Sequence, residues 1–145
     1  MFKKLGSKLK EQKGFTLIEL LAVIVILGII AAIAIPSITN VINSSKDKAK
    51  VADALEIISA AKLYVSNKPN FDASLEADYT ITHDEIQTYL DRVKDNTFTI
   101  IVVENPTEKT YTYKIKGHDA VEVVISGTVT ADTLATEKEL STWSN

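Results

Sequence analysis

The residues Leu20–Ile35, LLAVIVILGIIAAIAI, run for sixteen positions without one polar side chain. This segment constrains the fold more than any other, because a helix that is apolar all round must be covered on every side by lipid or by protein. Taken back to Phe15 the segment has 21 residues. At roughly 1.5 Å per residue that is about 31 Å of α-helix, the depth of a bilayer core. Its flanks differ sharply in charge. Residues 1–14 carry Lys3, Lys4, Lys8, Lys10 and Lys13 against Glu11, a net +4; the whole chain is −3, so the rest is −7. A basic tail, an apolar segment and an acidic body describe a chain inserted into a membrane with its lysines inside and its body outside, not a cytoplasmic enzyme.

Three readings of the segment compete. A cleaved signal peptide finds a small-x-small site in Ala32-Ile33-Ala34, but the apolar run exceeds the usual 7–15 residues and Pro36 follows two positions past the cut. A permanent anchor accounts for the length. Glu19 suggests a third reading. A carboxylate at mid-bilayer costs roughly 2.5–3.5 kcal/mol, less near the end of a span. Glu19 is either an interfacial acid at a helix N-terminus, where the dipole favours negative charge, or an acid that awaits a cationic partner. Two further positions weaken the helix. Gly28 costs about 1 kcal/mol relative to Ala. Pro36 removes one backbone bond and crowds the carbonyl of Ala32, although membrane helices tolerate both residues.

Lys13-Gly14-Phe15-Thr16-Leu17-Ile18-Glu19-Leu20 resembles the prepilin processing motif of type IV pilins and pseudopilins: a basic leader ending in glycine, an aromatic first mature residue, and a glutamate four positions later. The resemblance extends through Gly28 and Pro36 to about Ile38. It implies that a prepilin peptidase removes the leader 1–14, cutting between Gly14 and Phe15, and that the new amine of Phe15 is methylated. The cut removes the five lysines that hold the segment in place and leaves the apolar helix intact. The resemblance further implies that Glu19 pairs with the Phe15 amine in the same or an adjacent subunit, a buried polar pair that sets axial register. The stretch between Gly28 and Pro36 is implied to loosen on assembly. Implied partners are further copies of the chain in a helical filament, the peptidase, an ATPase-driven assembly machine, and the cytoplasmic membrane before assembly.

Beyond residues 15–36, residues 37–145 read as one globular domain. The long helix continues to about residue 66, with Val51, Leu55, Ile58, Ala61 and Val65 at helical spacing, until Asn67-Lys68-Pro69-Asn70 stops it. Residues 67–81 read as a loop. Thr82-His83-Asp84-Glu85 has the shape of a capping box and predicts a short helix over about 83–94. Strands are expected over 97–104 (TFTIIVVE), 110–116 (TYTYKIK) and 120–126 (AVEVVIS), joined as an antiparallel meander. The fold class is therefore α+β: a long N-terminal helix, kinked at Pro36, packed by its C-terminal half on a small antiparallel sheet. This matches the lollipop that the family resemblance implies. Thr136-Glu137-Lys138-Glu139 can start a helical turn, and Trp143 is expected on the sheet edge.

Chemistry is hard to find. The chain has no cysteine and two histidines, His83 and His118, so a structural zinc site is not expected. No phosphate loop, nucleophile elbow or H-E-x-x-H helix is written. His83 reads as a first-turn surface residue and His118 as a turn residue. Asp119, Glu122 and Asp132 do not form an ordered calcium loop, and Asn43-Ser44-Ser45 is a glycosylation triplet placed on a helix. Neither a cofactor nor enzymatic activity is expected, and the acidic body argues against direct nucleic-acid binding. Without cysteine, the C-terminal loop that many pilins close by a disulfide must be held by packing. The expected role is a type IV pilus subunit serving adhesion, aggregation, surface motility or DNA uptake. A pseudopilin of a secretion or competence system is the first alternative, and an anchored monomeric binding ectodomain the second.

Overall fold

A computed structural model of the chain describes residues 16–69, 71, 79–105 and 107–144. The leader and Phe15 lie outside the described residues. Helix α1 spans Leu17–Asn67. Strand β1 (Tyr79–Thr82) leads into α2 (His83–Ile86), which ends in a 3-10 turn, Gln87–Tyr89. Strands β2 (Thr99–Asn105) and β3 (Thr110–Lys116) follow, then α3 (Ala120–Val124), β4 (Ala135–Thr136) and α4 (Glu137–Thr142). The chain divides into two compact units, Met1–Ile42 and Asn43–Asn145.

In the first unit the described residues are helical from Leu17 onward and exposed, apart from the half-buried Ala34. Large apolar side chains from Leu17 to Ile42 are exposed among the described residues. Helix α1 is the one helix among the described residues long and apolar enough to cross a membrane. It runs through Pro36 without interruption, and the Thr39 hydroxyl donates to the Ile35 carbonyl at 2.9 Å beside that proline.

The second unit is a sheet backed by a helix. The strand order is β1-β2-β3-β4, with every neighbour antiparallel. Strand β2 matches β3 along its whole length, from Thr99 opposite Lys116 to Asn105 opposite Thr110. The strands alternate as a half-buried sheet requires: Ile81, Ile100, Val102, Tyr113 and Ile115 point inward. They meet Val51, Ala54, Ile57, Ile58, Ala61 and Val65 of α1 in one core. Burying an isoleucine such as Ile57 or Ile100 contributes roughly 1.5–3 kcal/mol, and the small Ala54, Ala60 and Ala61 let the sheet approach the helix axis.

Three expectations need correction. Residues 120–126 are not a third meander strand; Ala120–Val124 form helix α3. Their β-branched composition is overridden because Gly117 turns the chain with φ +75° and the Val121 N–H then finds the His118 carbonyl at 3.0 Å. The place beside β3 is taken by β4, with Ile115 opposite Ala135. Helix α2 with its 3-10 turn ends at Tyr89 instead of about Lys94; beyond it the Glu56 carboxylate accepts the Asp91 N–H at 3.3 Å and draws that turn toward α1. Finally, Tyr79–Thr82 is a strand where a loop was expected, its one fully buried side chain being Ile81.

Candidate functional site

At the N-terminal end of α1, Thr16 and Glu19 form a closed reciprocal cap. The Thr16 N–H donates to Glu19 Oε2 at 2.7 Å, its hydroxyl donates to the same oxygen at 2.9 Å, and the Glu19 N–H donates to Thr16 Oγ1 at 3.3 Å. A capping box satisfies two helix-end donors at once, and the negative charge sits where the helix dipole favours it. The sequence T-L-I-E has the same shape as Thr82–Glu85, and the cap fits the reading of Glu19 as an acid at a helix N-terminus. The carboxylate thus stands against the amide of residue 16, one peptide away from Phe15. Both Gly14 and Phe15 fall outside the described residues.

Gly28 and Pro36 lie on the same exposed helix. A Cβ at Gly28 would meet nothing within 4 Å, so no packing inside this chain requires glycine there. Pro36 leaves the Ala32 carbonyl without its helical donor, and the Thr39 back-bond to Ile35 is the kind that bends helices.

The body carries two more caps of the same type. The Thr82 N–H and hydroxyl both donate to Glu85 Oε2, at 2.8 and 3.0 Å. Thr136 and Glu139 repeat all three bonds at the start of α4, and the Thr136 amide and hydroxyl hold the Glu139 carboxyl below its usual value. Lys62 of α1 pairs with Glu137 and so ties the C-terminal helix down. Trp143 is partly buried against the core and lines a groove with Val51, Ala52 and Leu55 of α1 and with Leu140. Tyr64, Phe71, Tyr79 and Tyr111 gather at the far end of α1, where Phe71 meets Tyr79 and Tyr111 edge-on at 4.9 and 5.4 Å. The Lys68 ammonium lies over the Tyr79 ring and bonds its hydroxyl, which raises the pKa of the lysine.

His83 heads α2 beside Asp84, and its ring packs edge-on against Phe98 at 5.8 Å. His118, by contrast, is buried. Of the three acids considered for calcium, Asp119 pairs with Lys50 at 3.5 Å and Asp132 with Lys116 at 3.7 Å. Among the described residues no three His, Asp or Glu side chains converge as metal ligands.

An uncovered apolar helix capped by Thr16 and Glu19, together with a small antiparallel sheet wrapped on a helix, defines the α+β pilin-like class. A family profile described as the prokaryotic N-terminal methylation motif matches residues 9–35. The chain is 36% identical over 92 residues to competence protein ComGC of Streptococcus pneumoniae, covering 60% of this chain and 84% of that protein. It is 32% identical over 74 residues to type II secretion system core protein G of Vibrio cholerae, covering 49% of this chain and 51% of that protein. Over 35 residues it is 63% identical to type IV major fimbrial protein FimA of Dichelobacter nodosus, covering 24% and 22%. No solved structure gives a significant match. The chain belongs to the type IV pilin-like family, as a pilin or a pseudopilin.

Proposed function

We propose that the chain is the precursor of a structural subunit that is cut between Gly14 and Phe15, methylated at Phe15, and polymerised into a type IV pilus at the cell surface. Before assembly it is held in the cytoplasmic membrane by α1, with the lysine-rich leader inside. The observation that carries this reading is the uncovered apolar surface of Leu17–Ile42 behind a processing motif. Such a surface stays in lipid or is buried by equivalent helices of neighbouring copies. Leaving lipid for a helix bundle gains little apolar burial, so the work of extraction falls to an ATPase-driven machine. The role is structural, not enzymatic, and calls for no cofactor and no direct nucleic-acid contact.

Within the assembly Glu19 exchanges its Thr16 cap for the Phe15 amine that processing creates. An unpaired carboxylate in a dry bundle is strongly disfavoured, so this exchange fixes the axial register. Gly28 and Pro36 mark where the helix gives way as copies pack.

A second reading is favoured by one observation: a competence protein is matched over 92 residues, well past the N-terminal motif. On that reading the filament belongs to a competence system. Electron microscopy of sheared surface material, with wild type and Glu19→Ala compared, tests both. Long surface filaments from wild type support the pilus and short filaments at the envelope the pseudopilus. The variant is expected to be processed and to assemble poorly; normal filaments from it would defeat the pairing role of Glu19.

A further inference from the structure

Among the described residues His118 is the one polar side chain in the buried core, 5% exposed. Its two ring nitrogens face different tasks. Nδ1 accepts the N–H of Ala120 at 3.0 Å, in a buried bond at the first residue of α3. A backbone N–H only donates, so Nδ1 must be unprotonated and the ring proton sits on Nε2. That second nitrogen points to a cavity of about 210 Å³ lined by Lys50 and Asp53 of α1, by Asp95 and Thr97 ahead of β2, and by Asp119. Asp95 Oδ2 stands 3.9 Å from Nε2, in charge-pair range but too far for a hydrogen bond. A second cavity of about 230 Å³ also borders His118, lined by Val121 and Glu122 of α3 and by Val129 and Thr130.

We propose that His118 is an acid-operated latch: neutral, it holds the start of α3 through Nδ1, and protonated, it shifts toward Asp95 and releases the segment that follows. Protonation puts a hydrogen on Nδ1 that opposes the Ala120 N–H, so one favourable contact becomes a donor–donor clash. The same proton gives the ring a positive charge facing Asp95, Asp53 and Asp119 against the single ammonium of Lys50. Ala120 is fully buried, so its released N–H finds no water unless α3 moves. Helix α3 is a weak element to hold otherwise. It has five residues, with the Val121 N–H bonded to the His118 carbonyl at its start and the Ile125 N–H to the Val121 carbonyl at its end. The cavity beside it gives the segment room to move.

The direction follows from burial. Desolvation, aided by the Lys50 charge, holds the imidazole below its usual value against the pull of Asp95, Asp53 and Asp119. Unfolded chain therefore binds the proton first. The stability that the latch supplies is complete above the ordinary imidazole value and is lost as pH falls below it toward the lower folded value. Mild acid opens the latch while the β2–β3 ladder, which contains no titrating contact of this kind, stays closed.

The test uses the full chain in detergent micelles. Nuclear magnetic resonance follows the His118 ring and the hydrogen-exchange protection of the Ala120 amide between neutral and mildly acidic pH. Protection at Ala120 is expected to fall about five- to tenfold across the His118 titration, the equivalent of one buried hydrogen bond, with β2 and β3 amides unchanged. His118→Asn keeps an acceptor for the amide two residues on, as Asx turns do, and removes the titration, so its Ala120 protection should not change with pH. Asp95→Asn keeps the ring and removes the attracting carboxylate, so release should move to lower pH. Flat Ala120 protection in wild type, an equal loss in His118→Asn, or an unmoved transition in Asp95→Asn would each overturn the latch.

Discussion

Gly117→Ala tests the turn that redirects the chain from β3 into α3. Gly117 sits at φ +75°, and a Cβ there would stand 2.9 Å from the Thr97 carbonyl oxygen and 3.6 Å from the Phe98 Cα. Alanine pays about 1–2 kcal/mol for the left-handed conformation. The contact is with backbone, not with a flexible side-chain tip, so the lead-in to β2 must shift, adding about 1–3 kcal/mol. Restricting the unfolded chain returns about 0.4–1 kcal/mol, leaving a net loss of about 1–5 kcal/mol. For a unit of this size that lowers Tm by on the order of 5–20 °C. Thermal unfolding of the full chain in micelles, read by the fluorescence of Trp143, the chain's one tryptophan, measures it. Gly127→Ala is the internal control, because Gly127 has φ +138° but nothing within 4 Å of its Cβ, so that variant suffers conformational strain alone. A Tm for Gly117→Ala equal to that of the wild type would refute the claimed approach of Thr97 to Gly117.

Other expectations follow from the same contacts. Thr136→Ala removes the cap of α4 and should cost about 0.5–2 kcal/mol in the same unfolding assay. Because Thr136 holds the Glu139 carboxyl below its usual value, the wild-type advantage over Thr136→Ala is present above the ordinary carboxylate range. It should fade as pH drops through the lower folded value; an advantage independent of pH in acid would contradict the charge-assisted cap. Glu19→Ala should leave processing intact and reduce filament yield, as measured by microscopy and by immunoblot of sheared material.

Much of this fold is legible in the sequence because periodicity is strong where burial is one-sided. Val51, Ile58, Ala61 and Val65 announce the packed half of α1, and Tyr111, Tyr113 and Ile115 announce the inward face of β3; all lie where spacing puts them. AVEVVIS misleads because β-propensity reports fit to a pleated surface. Here the turn at Gly117 and the His118 acceptor set the backbone, and Ala135–Thr136 already occupies the sheet position. Strand β1 is missed because four residues with one fully buried side chain carry too short a pattern. His118 looks like a turn residue in sequence and is one; that its ring folds inward onto Ala120 depends on a tertiary cavity that no local spacing encodes. At the N-terminus the motif is legible residue by residue, whereas the Thr16–Glu19 cap is a local alternative partner for the acid that the pilin pattern draws attention away from.

The central claim is that processing frees α1 to become part of a filament, and its most direct test is the N-terminus of the protein recovered from its own cell surface. Mass spectrometry of the intact chain and of its N-terminal peptide should find Phe15 as the first residue, carrying a methyl group on its amine. A chain that still begins at Met1 would mean a permanent anchor, and one that begins at Ile35 a secreted domain freed by signal peptidase; either result would contradict the account.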